Sequence, residues 1–393
     1  MINSNIEHND VSTIRLANDI ISAAIARQAS DIHFEPYEKK IRIRFRIDGI
    51  LSEFASLNPE FGPRLAARLK VLSRLDISER RLPQDGRFKL KLPTQDLIDL
   101  RISSCPTLFG EKIVLRILDP ANTQVSIEAL GFEAEQQAIF VKAIRSSQGM
   151  ILATGPTGSG KTLSLYTAIN LLNDLAVNIS TIEDPIEINL PGINQVHVNP
   201  KVGLTFSNAL RAFLRQDPDI IMVGEIRDPE TAEIAVKAAQ TGHLVLSTLH
   251  TNSAAETITR LINMGIPAYH LATAIKLVFA QRLVRLLCTH CKQMVHYPPE
   301  TLLAKGFDPN EILGLQLFRS GECDQCHQGY KGRIGIFEVM PISETISRMI
   351  LSGSSAIDIA KQAKKEGMIT LQQAGLNKVK TGVTSFEEVE RIT

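Results

Sequence analysis

Eight consecutive residues, Gly155-Pro156-Thr157-Gly158-Ser159-Gly160-Lys161-Thr162, fit the pattern G-x-x-x-x-G-K-[ST] without a gap. An apolar stretch, Met150-Ile151-Leu152-Ala153-Thr154, precedes them and reads as a buried strand, and residues 163–173 follow with helical spacing. Strand, glycine-rich loop and helix form the context in which this pattern holds phosphate. The glycines let backbone N–H groups curl around phosphate oxygens, and the helix N-terminus adds its dipole to the same anion site. In that frame Lys161 reaches the β- and γ-phosphates and Thr162 ligates Mg2+. A chance glycine-rich turn would not come with both flanks. The expectation is a nucleoside triphosphate site for ATP and Mg2+ over residues 155–162.

The chain has 393 residues, enough for about two or three domains that each bury a core. Its formal net charge is +1, so no global field argues for nucleic acid or an anionic membrane. No apolar run approaches the roughly 18 residues of a membrane-spanning helix, and Met1-Ile2-Asn3-Ser4-Asn5 is not a signal peptide. A cytoplasmic location follows as an expectation, with any membrane role exercised through partners. Tryptophan is absent and aromatic residues make up 5% of the chain, which disfavours base-stacking surfaces for single-stranded nucleic acid.

Residues 1–10 are polar and expected to fray. From Val11 to Ala29 apolar residues recur at helical spacing. Ile41-Arg42-Ile43-Arg44-Phe45-Arg46-Ile47 alternates strictly and runs into Asp48-Gly49, a hairpin signal. A helix fits Gly62–Leu75. The segments 88–92, 97–103 and 113–118 alternate again, joined by turns such as Pro93-Thr94-Gln95. Residues 11–118 thus read as an α+β unit with an antiparallel sheet. The pattern changes at Asp119-Pro120. From about 130 to 285, apolar strands at 150–154, 179–183, 219–223 and 244–249 alternate with helices, the signature of a mostly parallel sheet. The segment 288–330 is loop-rich and holds cysteines, and 341–393 is helical in character.

Hydrolysis at a P-loop requires acids near the γ-phosphate. Asp219-Ile220-Ile221-Met222-Val223 leads into Gly224-Glu225, like a Walker B strand whose acid has moved one position on. Glu225 there suits Mg2+ contact through water or positioning of the attacking water. Glu183-Asp184-Pro185-Ile186-Glu187 closes another strand, and either Glu183 or Asp184 can accept a proton from that water. The segment 241–251 places His243 and His250 on the flanks of a short apolar strand. His250, at its C-terminal end, can sense the γ-phosphate or serve a structural role.

Of five cysteines, four fall in two C-x-x-C pairs, Cys288/Cys291 and Cys323/Cys326, with 31 residues between the pairs. Four thiolates suit one tetrahedral Zn2+ that closes an irregular loop. A thioredoxin-type redox pair, which normally stands alone, and uncommitted thiols are the alternatives. Cys105 has no partner and is expected in a core. His290 and His327 flank the knuckles and are expected outside or at the surface of the metal site.

Assembled in order, these segments resemble the type II secretion and type IV pilus assembly ATPase family (GspE/PilB-like). Matching residues are 29–36 (ASDIHFEP), 46–49 (RIDG), 83–87 (PQDGR), 110–112 (GEK), the P-loop, the acid box 183–187, 214–219 through 224–228, the histidine box 241–251 and both cysteine pairs. The resemblance spans about residues 11–393. It implies a PAS-like N-terminal α+β domain over 1–119, a linker at 120–130 and a RecA-like P-loop ATPase domain over 131–287. A tetracysteine zinc-binding insertion at 288–330 and a C-terminal helical part at 331–393 complete the implied α/β architecture. It also implies a homo-hexameric motor, peripheral at the inner membrane, that turns a platform protein feeding pilin-like subunits into a filament. Two N-terminal arginines that act near the phosphates in the family map to Arg101 and Arg116, with Arg87 a third candidate. Arg116 sits in an otherwise apolar strand, where an unpaired guanidinium would be costly to bury and a phosphate would satisfy it.

Members often carry a further N-terminal docking domain. This chain starts almost at the PAS-like domain, so the resemblance implies a short form or a piece of a longer chain. Retraction motors of the same superfamily lack the cysteine pairs, so those pairs favour secretion or assembly. Two other functions compete. A nucleic-acid translocase on a RecA-like core would need basic channel loops and salt-sensitive DNA binding, which the charge and aromatic content disfavour. A non-catalytic zinc-stabilised scaffold is disfavoured by the intact Lys161, Thr162 and Glu225.

Overall fold

The structure, a computed structural model, describes residues 13–91, 97–118, 125–312 and 314–393. It divides into two compact units, Met1–Thr123 and Gln124–Thr393. Residues 1–10, the Pro93-Thr94-Gln95 turn and the Asp119-Pro120 junction lie outside the described residues.

In the first unit the helix Thr13–Ala26 precedes β1 (Ala29–Pro36), β2 (Ile41–Ile47) and β3 (Ile50–Leu57). The helix Phe61–Leu72 then leads to β4 (Gln84–Lys91), β5 (Leu97–Thr107) and β6 (Gly110–Leu118). The strands form an antiparallel sheet in the order β3-β2-β1-β6-β5-β4. Period-2 patterning fixes which face is dry. Ile41, Ile43, Phe45 and Ile47 turn inward against Leu16, Ile20, Ile21, Leu65 and Leu69 of the two helices. The arginines between them face the other way. Asp48 and Gly49 adopt φ of +49° and +86°, as a two-residue hairpin turn with both central residues left-handed requires. β1 was not expected as a strand, because its alternation is interrupted by two acids, yet it lies in the middle of the sheet. Those acids, Asp31 and Glu35, are buried and neutralised by neighbouring cations. Asp31 meets Arg46 and Arg116, and Glu35 meets Arg42, Arg44 and Lys112, which holds the Glu35 carboxyl down to about 2 against the cost of burial.

The second unit centres on β7 (Gly149–Thr154), β8 (Ile179–Glu183), β9 (Asn194–His197), β10 (Ile220–Val223), β11 (Leu244–Leu249) and β12 (Ile275–Leu287). A short hairpin of β13 (Gln293–Val295) and β14 (Leu317–Arg319) stands apart, and β15 (Tyr330–Pro341) returns to the main sheet. The order is β15-β12-β7-β11-β10-β8-β9, parallel throughout except for β12 against β15. β7, β8, β10 and β11 are buried on both faces, as parallel strands covered by helices should be. β10 is apolar throughout, β7 and β11 are mainly apolar, and β8 carries Ser180, Thr181 and Glu183 within its buried run. β9, β12 and β15 escaped the sequence reading. The 13-residue β12 mixes apolar and basic residues without a clean period, so a helix and a strand fit it equally well. The stretch 331–393, expected to be helical, opens on β15 before its helices Glu344–Leu351, Ala356–Lys365, Leu371–Lys380 and Phe386–Ile392. Because the central strands are parallel, their C-terminal ends gather at one edge of the sheet.

Candidate nucleotide site and cysteine cluster

The P-loop leaves the end of β7 and enters the helix Lys161–Leu172. Gly155 and Gly160 hold φ of +144° and +89°. A Cβ on Gly155 would stand 2.5 Å from the Gln281 carbonyl oxygen, and one on Gly160 would stand 2.8 Å from Gln281 Nε2. Neither position tolerates a side chain. The cradle also contains a buried polar atom with no partner, the Ser159 hydroxyl. The Lys161 ammonium donates to the carbonyl oxygens of Gly155 (2.7 Å) and Pro156 (3.0 Å). Burial pulls its pKa down to about 8, opposed by the charge of Glu225 and reinforced by that of Arg282. A buried ammonium bonded only to carbonyls, an orphaned hydroxyl and glycines whose backbone is left bare fit a polyanion. Thr162 is exposed beside Lys161, and Gly158 has open space around it.

Around this loop the strand ends are stitched together. The Thr154 hydroxyl accepts from the Thr251 amide (2.9 Å), and the Ser247 and Thr248 hydroxyls donate to the carbonyls of Val223 and Gly224. These bonds set Glu225 beside His250, whose Nε2 lies 3.3 Å from Glu225 Oε2. Arg227 pairs with Glu225, and its guanidinium also lies 4.0 Å from Asp184. Glu225, His250, Arg227 and Asp184 thus form one polar cluster at the sheet edge. Glu183 is placed differently. Its carboxylate is buried and accepts from the Tyr166 hydroxyl, from Thr181 Oγ1 (2.6 Å) and from Gln195 Nε2 (3.1 Å). His243 is turned away, with Nδ1 3.0 Å from the Ala238 carbonyl oxygen.

The four cysteines of the C-x-x-C pairs converge, with all four sulfurs within 4.8 Å of one another. The separations are 3.8 Å for Cys288–Cys323, 3.7 Å for Cys291–Cys326 and 3.4 Å for Cys323–Cys326. A disulfide needs about 2.05 Å. Four ligands at about 2.3 Å from one metal would place their sulfurs about 3.8 Å apart. The donor set and its spacing fit a tetrahedral thiolate site.

With this geometry in place, comparison with known proteins is specific. The family described as Type II/IV secretion system protein matches residues 7–391. The chain belongs to that family. It is 57% identical over 387 residues to a type IV pilus assembly ATPase PilB of Acinetobacter baylyi, covering 98% of this chain and 67% of that one. It is 46% identical to a type II secretion system protein E of Pseudomonas aeruginosa, covering 98% of this chain and 76% of that one. The crystal structure of the pilus retraction motor PilT with bound ADP superposes with a TM-score of 0.63 at 26% identity, covering 96% of both chains.

In this secretion-family chain, Arg101 and Arg116 lie in the Met1–Thr123 unit, opposite each other in register on β5 and β6. Arg87 pairs in register with Arg101, and Asp31 with both Arg116 and Arg46, so one row crosses five strands. Arg116 corrects the expectation of an unpaired guanidinium in an apolar strand. Ile113 and Leu115 point into the core, while Arg116 points to the opposite face, where its Nε donates to Asp31 Oδ1 at 3.0 Å and its side chain is 54% exposed. Arg87 makes a two-pronged pair with Asp99, both bonds 2.7 Å. Cys105, expected in a core, is exposed, because it takes the outward phase of β5. His290 is exposed and His327 half-buried beside the cysteine cluster.

Sequence reading missed the neighbours that only the fold supplies. Gln281, on β12, is 2% exposed and accepts from Ser164 Oγ at 2.8 Å, tying the P-loop helix to the next strand. Tyr166 and Gln195 hold Glu183. Arg282 stands at the mouth of the loop. None has a motif of its own, and each is found only by following which strand lies beside β7.

Proposed function

We propose that this chain is an ATP-hydrolysing motor of type IV pilus assembly, acting as a homo-hexamer in the cytoplasm against an inner-membrane platform protein. The P-loop whose strand ends bring Glu225 to His250 carries the enzymatic reading. The higher identity to the pilus-assembly ATPase than to the secretion protein favours filament assembly.

Residues 155–162 wrap the triphosphate with backbone N–H groups, and Lys161 moves from the loop carbonyls to the phosphate oxygens. Thr162 and Glu225 would hold the Mg2+ that travels with ATP and neutralises its charge. Glu225, steadied by Arg227 and His250, orients the attacking water. Of the two acids ending β8, Asp184 faces this cluster and is the group that can take up the water's proton. Glu183, already accepting three hydrogen bonds, holds the strand end in place. Arg101 and Arg116 add positive charge to the phosphates as it develops in the transition state. Cys288, Cys291, Cys323 and Cys326 would hold a structural Zn2+, which closes the 288–330 segment without taking part in hydrolysis.

The Glu225→Gln variant tests the assignment. ATP binding should persist while turnover falls by about two orders of magnitude or more. Turnover near that of the wild type would remove Glu225 from the mechanism.

A further inference from the structure

Beside the P-loop sits a cation that no motif announces. β12 runs parallel to β7 with Ala280 opposite Thr154, so Gln281 and Arg282 follow where β7 gives way to the loop. A Cβ on Gly155 would lie 3.1 Å from Arg282 Nη1, which puts this guanidinium in contact distance of the loop's first residue. The guanidinium is held by two neutral acceptors. Nη1 donates to the Gln281 carbonyl oxygen at 3.3 Å, and Nη2 donates to Asn252 Oδ1 at 3.2 Å. Among the described residues no carboxylate makes an ion pair with it. Glu338 and Glu256 act on it only at longer range, and burial lowers its pKa.

Most other partly buried arginines of the chain have an acid. Arg285 pairs with Glu388, and Arg42 and Arg44 pair with Glu35. A partly desolvated guanidinium with only neutral acceptors is costly unless an anion arrives. Arg282 also stands close enough to Lys161 for its charge to lower the lysine's proton affinity. Two cations therefore converge on one glycine loop. Lys161 is anchored on the Gly155 carbonyl, so the anion that both address is the β/γ end of a nucleotide.

We propose that Arg282 is a phosphate-binding residue of the P-loop site, parked on Asn252 until the nucleotide's terminal phosphates draw its guanidinium in. This rests on the reading of the loop as an ATP site. Asn252 follows the histidine box, and the Thr251 amide is bonded to Thr154 at the base of the P-loop. Release of Asn252 by Arg282 would report phosphate occupancy to the end of β11, beside His250.

Calorimetric titration with ADP and with the β,γ-imido analogue of ATP tests this on wild type, Arg282→Gln, Arg282→Lys and Lys161→Ala, with thermal melts for each. Loss of one charge-assisted pair should weaken the analogue by about 10- to 100-fold in Arg282→Gln. ADP should weaken less, and Arg282→Lys should recover part of the loss. Unchanged affinities in Arg282→Gln, or a lowered melting temperature alone, would overturn the proposal and leave Arg282 as a brace for the Asn252 loop. Should Arg282→Gln fail to fold, Asn252→Ala decides. Freed of its parking partner, Arg282 should hold the analogue more tightly than in wild type, and unchanged or weaker binding would overturn the assignment. Wild type that binds while Arg282→Gln binds equally well refutes Arg282 alone. Wild type that binds neither nucleotide refutes the P-loop reading itself.

Discussion

At the scale of the residue, the site is organised by what each charged group lacks or already has. Lys161 is buried beside Arg282 and bonded only to carbonyls, so its pKa falls to about 8 from 10.5. Between those two values the unfolded chain binds more protons than the folded one, so this lysine makes the nucleotide-free protein more stable as pH rises through that window. Phosphate oxygens would restore the ammonium and raise its pKa again. ATP binding at about pH 8.5 should therefore take up protons, which calorimetry in buffers of different ionisation enthalpy will show as a buffer-dependent heat. Proton release, or no buffer dependence, would contradict the picture of Lys161. Much of this was legible from the chain alone. The loop residues, Glu225 and His250 could be named from spacing, because strand ends in a parallel sheet must converge. The environment of Glu183 was not legible, since its donors Tyr166 and Gln195 come from a helix and an edge strand that carry no shared signal. Arg116 misled because the otherwise apolar run 113–118 hides which face its one charge takes.

At the scale of the element, the sequence announces what is periodic and conceals what is mixed. The mainly apolar strands and the strict alternation of β2 were readable. β1 and β12 were not, because charges interrupt their patterns: the acids of β1 are met by cations of β2 and β6, and Arg285 of β12 by Glu388 of the helix Phe386–Ile392. The cysteine segment shows the same division. Its two knuckles were evident, while the β13–β14 hairpin and the helix Pro299–Ala304 between them were not. Four sulfurs within 4.8 Å of one another, three of the pairs at 3.4–3.8 Å, set the expectation for metal. Elemental analysis should find about one zinc per chain, falling below stoichiometry in Cys323→Ser, and chelation should lower the melting temperature. Metal-free protein that melts as the wild type does would make these free thiols.

At the scale of the whole molecule, the chain presents a six-stranded sheet with a row of arginines in one unit and a P-loop sheet in the other. The motor role proposed for it calls for active sites completed only when subunits assemble. The most direct measurement is ATPase rate against protein concentration, read beside mass by light scattering, for wild type and Arg116→Ala. Specific activity should rise as hexamers form, and should fall by about tenfold or more in the variant at equal assembly, as loss of a transition-state cation implies. Monomers that turn over at full rate, with the variant unaffected, would contradict the account.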